Sequence, residues 1–484
     1  MKELLEQDKE LLSAPLSKWR AYPAYKDSGI EWLGEIPEHW QVKRLKLLCK
    51  INPPKSELRL ASSTKVSFLP MEKIGGDGTI SIEETRKIEQ VWQGYTYFRD
   101  GDIVVAKITP CFENGKGALC INLRNGVGFG TTELHVLRPQ NQIIAEMLFH
   151  IIKSSPFRML GAASMYGAAG QQRVSEDFVS NFQIGIPSLY EQRAIATFLD
   201  RETIKTNALI EKKERLIALL QEKRIALISQ AVTKGLNPDV SMKDSGVEWL
   251  GEIPTHWEMR RLKFAASFLG GGTPSKSNNE YWSGNIPWTS PKDMKAENIY
   301  DAEDHITEDA LSNSTTQLIR SGAVLIVVRS GILKHSIPVA INAVPVALNQ
   351  DMKAIIPHAF LLARYLALLI IGHQDVLLLE WRKSGATVES IEFELLINTS
   401  CPIPSITEQQ TIVTYLDQET AKIDSLISVI RKGIKKLQEY STALISAAVT
   451  GKIDVRGEQA GTIDDGEGRI EGEGTEGIAD VYGT

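Results

Sequence analysis

"DSGIEWLGEIPEHW" fills residues 27 to 40 and "DSGVEWLGEIPTHW" fills residues 244 to 257, so twelve of fourteen positions are identical at a spacing of 217. The match runs on through Arg44/Arg261, Leu45/Leu262 and Lys46/Lys263. The same shift carries "IPSLYEQ" (186 to 192) onto "IPSITEQ" (403 to 409), "FLD" (198 to 200) onto "YLD" (415 to 417), and "AVT" (231 to 233) onto "AVT" (448 to 450). A fixed internal period of this kind means that one unit has been duplicated whole.

Each unit opens with the tryptophan-bearing stretch, continues through a variable region and closes with a long segment free of proline. The variable regions mix β-rich runs, "DIVVAKI" (102 to 108) and "AVLIVV" (323 to 328), with apolar helical runs, "AEMLFHII" (145 to 152) and "FLLARYLALLII" (360 to 371). Each is therefore expected to be an α/β globule. The closing segments start at "PSLYEQ" and "PSITEQ", which fit a capping box: Ser188 or Ser405 accepts from a free backbone N–H, and Glu191 or Glu408 reaches back. Both segments are expected to be long helices.

Ile423, Ile430, Leu437 and Leu444 recur every seven residues, with Leu426 and Tyr440 at interleaved positions; in the first unit Leu220 and Leu227 share that lane, and Leu209 and Leu216 fill the other. This heptad seam predicts two helices burying a narrow stripe against each other as an antiparallel coiled coil, with Gly433 and Lys223 as interruptions. The expected fold is mixed α/β, with two globules joined and separated by the two helices and related by pseudo-two-fold symmetry. The near-identical stretches, with Trp32, Pro37, Trp40, Trp249, Pro254, Trp257, Glu191, Gln192, Glu408 and Gln409, either pack a globule on the helices or dock a partner present in two copies.

Length, 484 residues, allows several domains, and a 43% hydrophobic and 24% charged composition is that of a globular protein. The start lacks the apolar core of a secretory signal, and Phe360 to Ile371 is too short and carries Arg364, so a cytoplasmic protein without membrane association is expected. Cys49, Cys111, Cys120 and Cys401 form neither a metal-ligand spacing nor a disulfide framework, and the expectation is reduced thiols. The last 34 residues hold nine glycines and nine acids against three bases and supply the whole net charge of −6, which predicts a disordered tail.

"GGGTPSKSNNEYWSGNIPWTSPKDM" (270 to 294), "KITPCFENGKGAL" (107 to 119), "GFGTTELHVLRP" (128 to 139) and the paired "IPS..EQ" helices resemble the DNA-specificity subunit of type I restriction-modification systems, over about residues 27 to 450. The resemblance implies a non-catalytic chain whose globules are target recognition domains. Each would read one half of an asymmetric bipartite site in double-stranded DNA, and the helices would set the spacer. It implies partners: two methyltransferase subunits on the scaffold and two restriction subunits in the full complex, with S-adenosylmethionine, ATP and Mg held there and no cofactor on this chain. The divisions are then an N-terminal segment (1–26), a first recognition domain (27–186), a first spacer helix (187–234), a linker and second recognition domain (235–403), a second spacer helix (404–450) and the acidic tail (451–484).

Two rival functions remain open, an adenine methyltransferase with divergent motifs and a scaffold whose heads bind proteins. Asn52-Pro53-Pro54 resembles the start of an adenine-methyltransferase tetrapeptide, but Lys55 stands where a stacking ring is needed. Gly126, Gly128 and Gly130 in "NGVGFG" precede a β-rich run, so a turn between strands is expected, and "GGGTPSK" lacks the ending of a P-loop. Residues 28 to 186 carry 18 bases and 16 acids, and 245 to 403 carry 13 and 17, so neither globule has the basic excess of a free-standing duplex binder.

Candidate DNA-contacting residues follow from side-chain chemistry in glycine- and threonine-rich loops. They are Lys107, Thr109, Asn114, Lys116, Thr131, Thr132, Glu133, Gln171, Gln172 and Arg173 in the first globule. In the second they are Thr273, Ser275, Lys276, Lys292, Asp293, Arg329, Ser330, Asn349, Gln350 and Asp351. Arginine and lysine suit guanine, glutamine and asparagine suit adenine, and a carboxylate can accept from cytosine. A structural turn or a phosphate contact is the competing role for each, since half or more of protein–DNA hydrogen bonds go to the backbone. "TTE" (131 to 133) aligns with "NQD" (349 to 351), keeping the acid and changing its neighbours. Trp282 and Trp288 are expected in the core.

Overall fold

The computed structural model describes residues 18–167, 171–383, 385 and 387–457. The helix suggested by "KELLEQDKELL" and the tail beyond residue 457 lie outside them. The chain divides into two compact units, Met1–Glu211 with Gly433–Thr484, and Lys212–Lys432. The division passes through both closing helices, α1 (Leu189–Lys234) and α2 (Ile406–Val449). At about 1.5 Å per residue each is roughly 65 to 70 Å long.

In the first unit the quoted stretch forms a hairpin, Tyr25–Asp27 against Glu35–Pro37. Gly29 and Gly34 take φ of +71° and +61° in its connection, conformations that a side chain resists, which is one reason the stretch tolerates little change. A second small sheet pairs Gln41–Arg44 with Gln183–Ile186, bringing the two ends of the globule together. The globule itself is two four-stranded sheets. One is ordered Thr85–Lys87, Lys65–Leu69, Val127–Gly130, Thr96–Arg99; the other is ordered Cys49–Ile51, Leu134–Pro139, Ile103–Ala106, Gly117–Leu119. The chain passes between the two sheets several times, and the crossing from Val127–Gly130 to Leu134–Pro139 is formed by residues 131 to 133. Of the three glycines in "NGVGFG" only Gly126 lies in a turn; Gly128 and Gly130 sit inside a strand, where Phe98 leaves no room for a Cβ at Gly128.

The second unit repeats this plan. Met242–Asp244 pairs with Glu252–Pro254, and Glu258–Arg261 with Ser400–Ile403. Its globule has a five-stranded sheet ordered Ala266–Gly270, Met352–Pro357, Val324–Val327, Val339–Asn342, Asn298–Ile299. A four-stranded sheet is ordered Asp304–Ile306, Ile286–Thr289, Val346–Leu348, Leu318–Ile319, and the crossing that corresponds to 131–133 falls at residues 349 to 351. Trp288 is buried and donates to the Gly272 carbonyl at 3.0 Å, while Trp282 packs edge-on against it, half-buried.

In each unit the start of one long helix lies beside the end of the other. The first core holds Ile195, Phe198 and Leu199 of α1 with Leu444, Ile445 and Val449 of α2; the second holds Ile228 and Val232 of α1 with Ile412, Val413 and Leu416 of α2. One lane of the expected seam is occupied as written, with Ile423, Ile430 and Leu444 buried. In the other lane Tyr440 packs on the first core as expected, but the remaining positions are displaced by one residue. Leu426, Leu209 and Leu216 are 47%, 44% and 45% exposed, and the buried or half-buried positions are Ile427, Ile434, Ile210 and Ile217. Residues 451 to 457, expected to belong to the tail, pack on the first unit: Ile453 and Val455 are buried, and Asp454 N donates to the Arg20 carbonyl at 2.6 Å.

Candidate nucleic-acid interface

The repeated segments are held by one device used twice. Trp40 donates from its indole to Glu191 at 3.0 Å, with His39 at 2.8 Å on the other carboxylate oxygen; Trp257 and His256 make the same two bonds to Glu408, each 3.0 Å. The expected capping boxes are therefore half-formed. Ser188 and Ser405 accept from Glu191 N and Glu408 N at 3.3 and 3.2 Å, but the carboxylates serve the His-Trp pairs instead of their own helix ends. Gln192 donates to the carbonyls of Gln142 and Pro187 and accepts from Ile144 N; Gln409 does the same with Phe360, Pro404 and Leu362 N. Pro37 and Pro254 are buried beneath these pairs, Trp32 stacks on Phe182 at 5.0 Å, and Trp249 lies 4.9 Å from His373. His39 and His256 are not among the residues singled out from the sequence, although the dipeptide "HW" closes both copies of the repeated stretch.

The sheet crossings gather most of the candidate DNA contacts. In the first head, Lys107 N donates to the Glu133 carbonyl at 3.0 Å and the Lys107 carbonyl accepts from Val174 N at 2.8 Å, which places three segments side by side. Thr109 and Gln172 exchange two bonds, Gln172 N reaching Thr109 Oγ1 at 3.1 Å. Arg173 grips Glu133 through two nitrogens at 2.9 and 2.8 Å. That guanidinium holds the Glu133 carboxyl below the usual carboxylate range. Thr131 Oγ1 accepts from Glu133 N at 3.2 Å, while Thr132 and Gln171 are exposed. Asn114 lies apart from this group in the turn after Pro110, and Lys116 spends its ammonium on the Met71 carbonyl at 2.9 Å.

Beside that cluster, residues 52 to 56, Tyr95, Thr96, Tyr97, Lys107, Thr132 and Leu134 line a groove of 450 Å3. Asn52, the residue that could suggest methyltransfer, is fully engaged: its Oδ1 accepts from Val136 N at 3.0 Å and its Nδ2 donates to Glu176 at 2.7 Å. His135 lies beneath, its Nε2 on the Val174 carbonyl at 3.0 Å, and burial pushes its pKa down. Lys55 donates to the carbonyls of Trp92 and Tyr95.

In the second head, Asn349, Gln350 and Asp351 form the crossing, and Arg329 pairs with Asp351 at 2.6 Å. Asn349 Oδ1 accepts from Asp351 N at 3.0 Å and Gln350 accepts from Thr273. Ser330 N donates to the Glu389 carbonyl, as Thr109 N does to that of Gln172. The remaining candidates are elsewhere. Asp293 accepts from Ser290 N and Oγ at 2.8 Å and from Glu303 N, a role inside its own turn. Lys292 is tied to Asp304 and Glu303 at 2.9 and 3.2 Å. Ser275 bonds Ser277, and Lys276 is exposed.

The model of the type I restriction modification DNA specificity domain matches this chain twice, over residues 37–219 and 254–436, and the chain belongs to that family. The EcoR124I/EcoR124II specificity subunit of Escherichia coli is 42% identical over 200 residues, 41% of this chain and 46% of that protein. The MjaIX specificity subunit of Methanocaldococcus jannaschii is 32% identical over 198 residues, 40% and 44% of the two chains. The matched stretch thus spans under half the length of these relatives. A solved chain from a study of complex assembly and conformational transition of the type I R-M system aligns with a TM-score of 0.64 at 21% identity, over 86% of this chain and 99% of that one, a likeness of fold. Among the described residues, no helix is long and apolar enough to cross a membrane.

Proposed function

We propose that this chain is the DNA-specificity subunit of a type I restriction-modification complex, with each head contacting one half of an asymmetric bipartite duplex site. The observation that carries this reading is the contrast between scaffold and crossing. The Trp–Glu attachment recurs atom for atom, whereas the crossing residues differ, half-buried Thr131 and exposed Thr132 in one head, buried Asn349 and exposed Gln350 in the other. A common mount with different faces suits two heads that contact different base pairs.

Chemistry belongs to the partners in this reading. Two methyltransferase subunits hold S-adenosylmethionine, and two restriction subunits bring ATP and Mg to the full nuclease. The balance of acids and bases in both heads fits a division in which partners grip phosphate and this chain discriminates bases. The engaged amide of Asn52 tells against a methyltransferase on this chain.

Exchange of residues 27 to 186 for the equivalent head of a relative tests the proposal. Methylation-aware sequencing of DNA treated with the assembled complex should then show one half of the modified sequence changed and the other kept. An unchanged site would favour the protein-binding scaffold, and methyl transfer by the chain without partners would favour an enzyme.

A further inference from the structure

Glu133 and Asp351 stand at the same point of the two heads, the last residue of the crossing before the strands Leu134–Pro139 and Met352–Pro357. The bonds around them correspond one to one. Lys107 N donates to the Glu133 carbonyl and Val328 N to that of Asp351; Val174 N donates to the Lys107 carbonyl and Ile391 N to that of Val328. The isolated bridges Ile108–Arg173 and Arg329–Ser390 continue both ladders. In this frame Ile108 corresponds to Arg329, and Arg173 corresponds to Ser390. The arginine has changed segment between the heads, yet the ion pair with the acid is present in both.

Stability gives no reason for building the pair twice by different routes, because Arg173 and Arg329 are 37% and 56% exposed and ion pairs at such places contribute little. What the pair fixes is the crossing. With the carboxylate held, Glu133 N bonds Thr131 Oγ1, Asp351 N bonds Asn349 Oδ1, and Thr132 and Gln350 are left exposed at the tip.

We propose that the acid–arginine pair at each sheet crossing is a positioning device that presents the base-contacting tip of the turn, Thr132 in the first head and Gln350 in the second. The arginine acts through the carboxylate, and either neighbouring segment can supply it. This inference rests on the DNA-specificity reading above.

The test uses the full chain assembled with its methyltransferase subunit and measures methylation of duplexes substituted base by base in each half of the site. Arg173→Ser should weaken discrimination about tenfold in one half. The other half and the melting temperature should stay unchanged. Adding Ile108→Arg moves the guanidinium to the segment used by the second head and should restore discrimination. Arg329→Ser followed by Ser390→Arg is the mirror experiment for the other half. If Arg173→Ser unfolds its unit, Arg173→Lys keeps the charge without the two-pronged grip and should give a partial loss in the same half. Unaltered discrimination in Arg173→Ser, an equal loss in both halves, or no recovery on relocating the arginine in a folded protein would overturn the positioning role. A wild-type complex without preference in either half would remove the DNA-specificity reading and this role with it.

Discussion

Trp40 and Glu191 meet across 151 residues of chain, the indole N–H donating to the carboxylate at 3.0 Å. Trp257 and Glu408 repeat the bond at the same separation and distance, but the two carboxylates are not equally sheltered: side-chain exposure is 4% for Glu191 and 29% for Glu408. The first also accepts from the Tyr22 hydroxyl at 2.7 Å, a group whose pKa burial and Glu191 push up, so it remains a donor.

Glu191→Ala should therefore cost more than Glu408→Ala. It leaves two buried donors unpaired, at about 1–3 kcal/mol each, whereas Glu408→Ala strands one indole N–H and an exposed histidine. Urea denaturation gives the totals, and hydrogen exchange of the hairpins at 25–37 and 242–254 locates them. Equal losses in the two units would contradict the burial argument.

Asp102, fully buried, takes two nitrogens of Arg138 at 2.6 and 2.7 Å beneath the first head, with Glu57 on the remaining one. Asp102→Ala leaves the buried guanidinium with Glu57 alone and two nitrogens unpaired, and should cost about 3–5 kcal/mol. Replacing both members with apolar residues of similar volume, Asp102→Leu with Arg138→Met, should recover most of that, because a buried pair gains little over a packed core. Thermal melts of the two variants decide it.

Acid should weaken both units through His135 and His373. Each ring is neutral in the fold. His135 donates from Nε2 to Val174 and accepts at Nδ1 from Asn52; His373 donates from Nδ1 to Leu369 and accepts at Nε2 from Ser229 and Thr233. Burial lowers both pKa values below the ordinary 6.5. The unfolded chain thus takes up protons near 6.5 while the folded chain waits for lower pH. Stability should fall as pH drops below 6.5, by at most about 1.4 kcal/mol per pH unit for each ring. His135→Gln with His373→Gln should flatten that part of the profile in denaturant titrations.

The two long helices were legible in full, since capping serines, absence of proline and apolar recurrence all agree over more than 40 residues. The second lane of their seam was not. Heptad steps alternate between three and four, and from Ile423 both choices, Leu426 and Ile427, are apolar, so the pattern alone does not say which faces inward. Leu426→Gln and Leu209→Gln should accordingly change the stability of the isolated chain by under about 0.5 kcal/mol. Ile427→Gln should cost about 2–4 kcal/mol in the same denaturation assay.

Of the candidate site, the crossings could be found because "TTE" and "NQD" keep an acid beside changed neighbours. The arginines that hold those acids come from 40 residues downstream in one head and 22 upstream in the other, a difference only the strand register explains. Asp293 and Lys292 looked available in the sequence, but their partners lie within the same small sheet and its turns, and a loop's own hydrogen bonding leaves no mark in composition.

Two of the proposed DNA contacts, Lys276 and Gln350, should act in different ways. Lys276 is exposed and Gln350 sits at the tip of the crossing, held by Thr273 and Asp351. A lysine on phosphate acts through counterion release, so Lys276→Ala should lower affinity alike for all sequences and reduce the slope of log K against log salt by about 1. A glutamine on a base edge carries no net charge, so Gln350→Ala should leave that slope intact and relax preference at one position by about 1–3 kcal/mol. Fluorescence-anisotropy titrations of the assembled complex over a salt series, on the methylated sequence and single-base variants, distinguish the two. A slope change from Gln350→Ala, or a sequence-selective loss from Lys276→Ala, would reverse their roles.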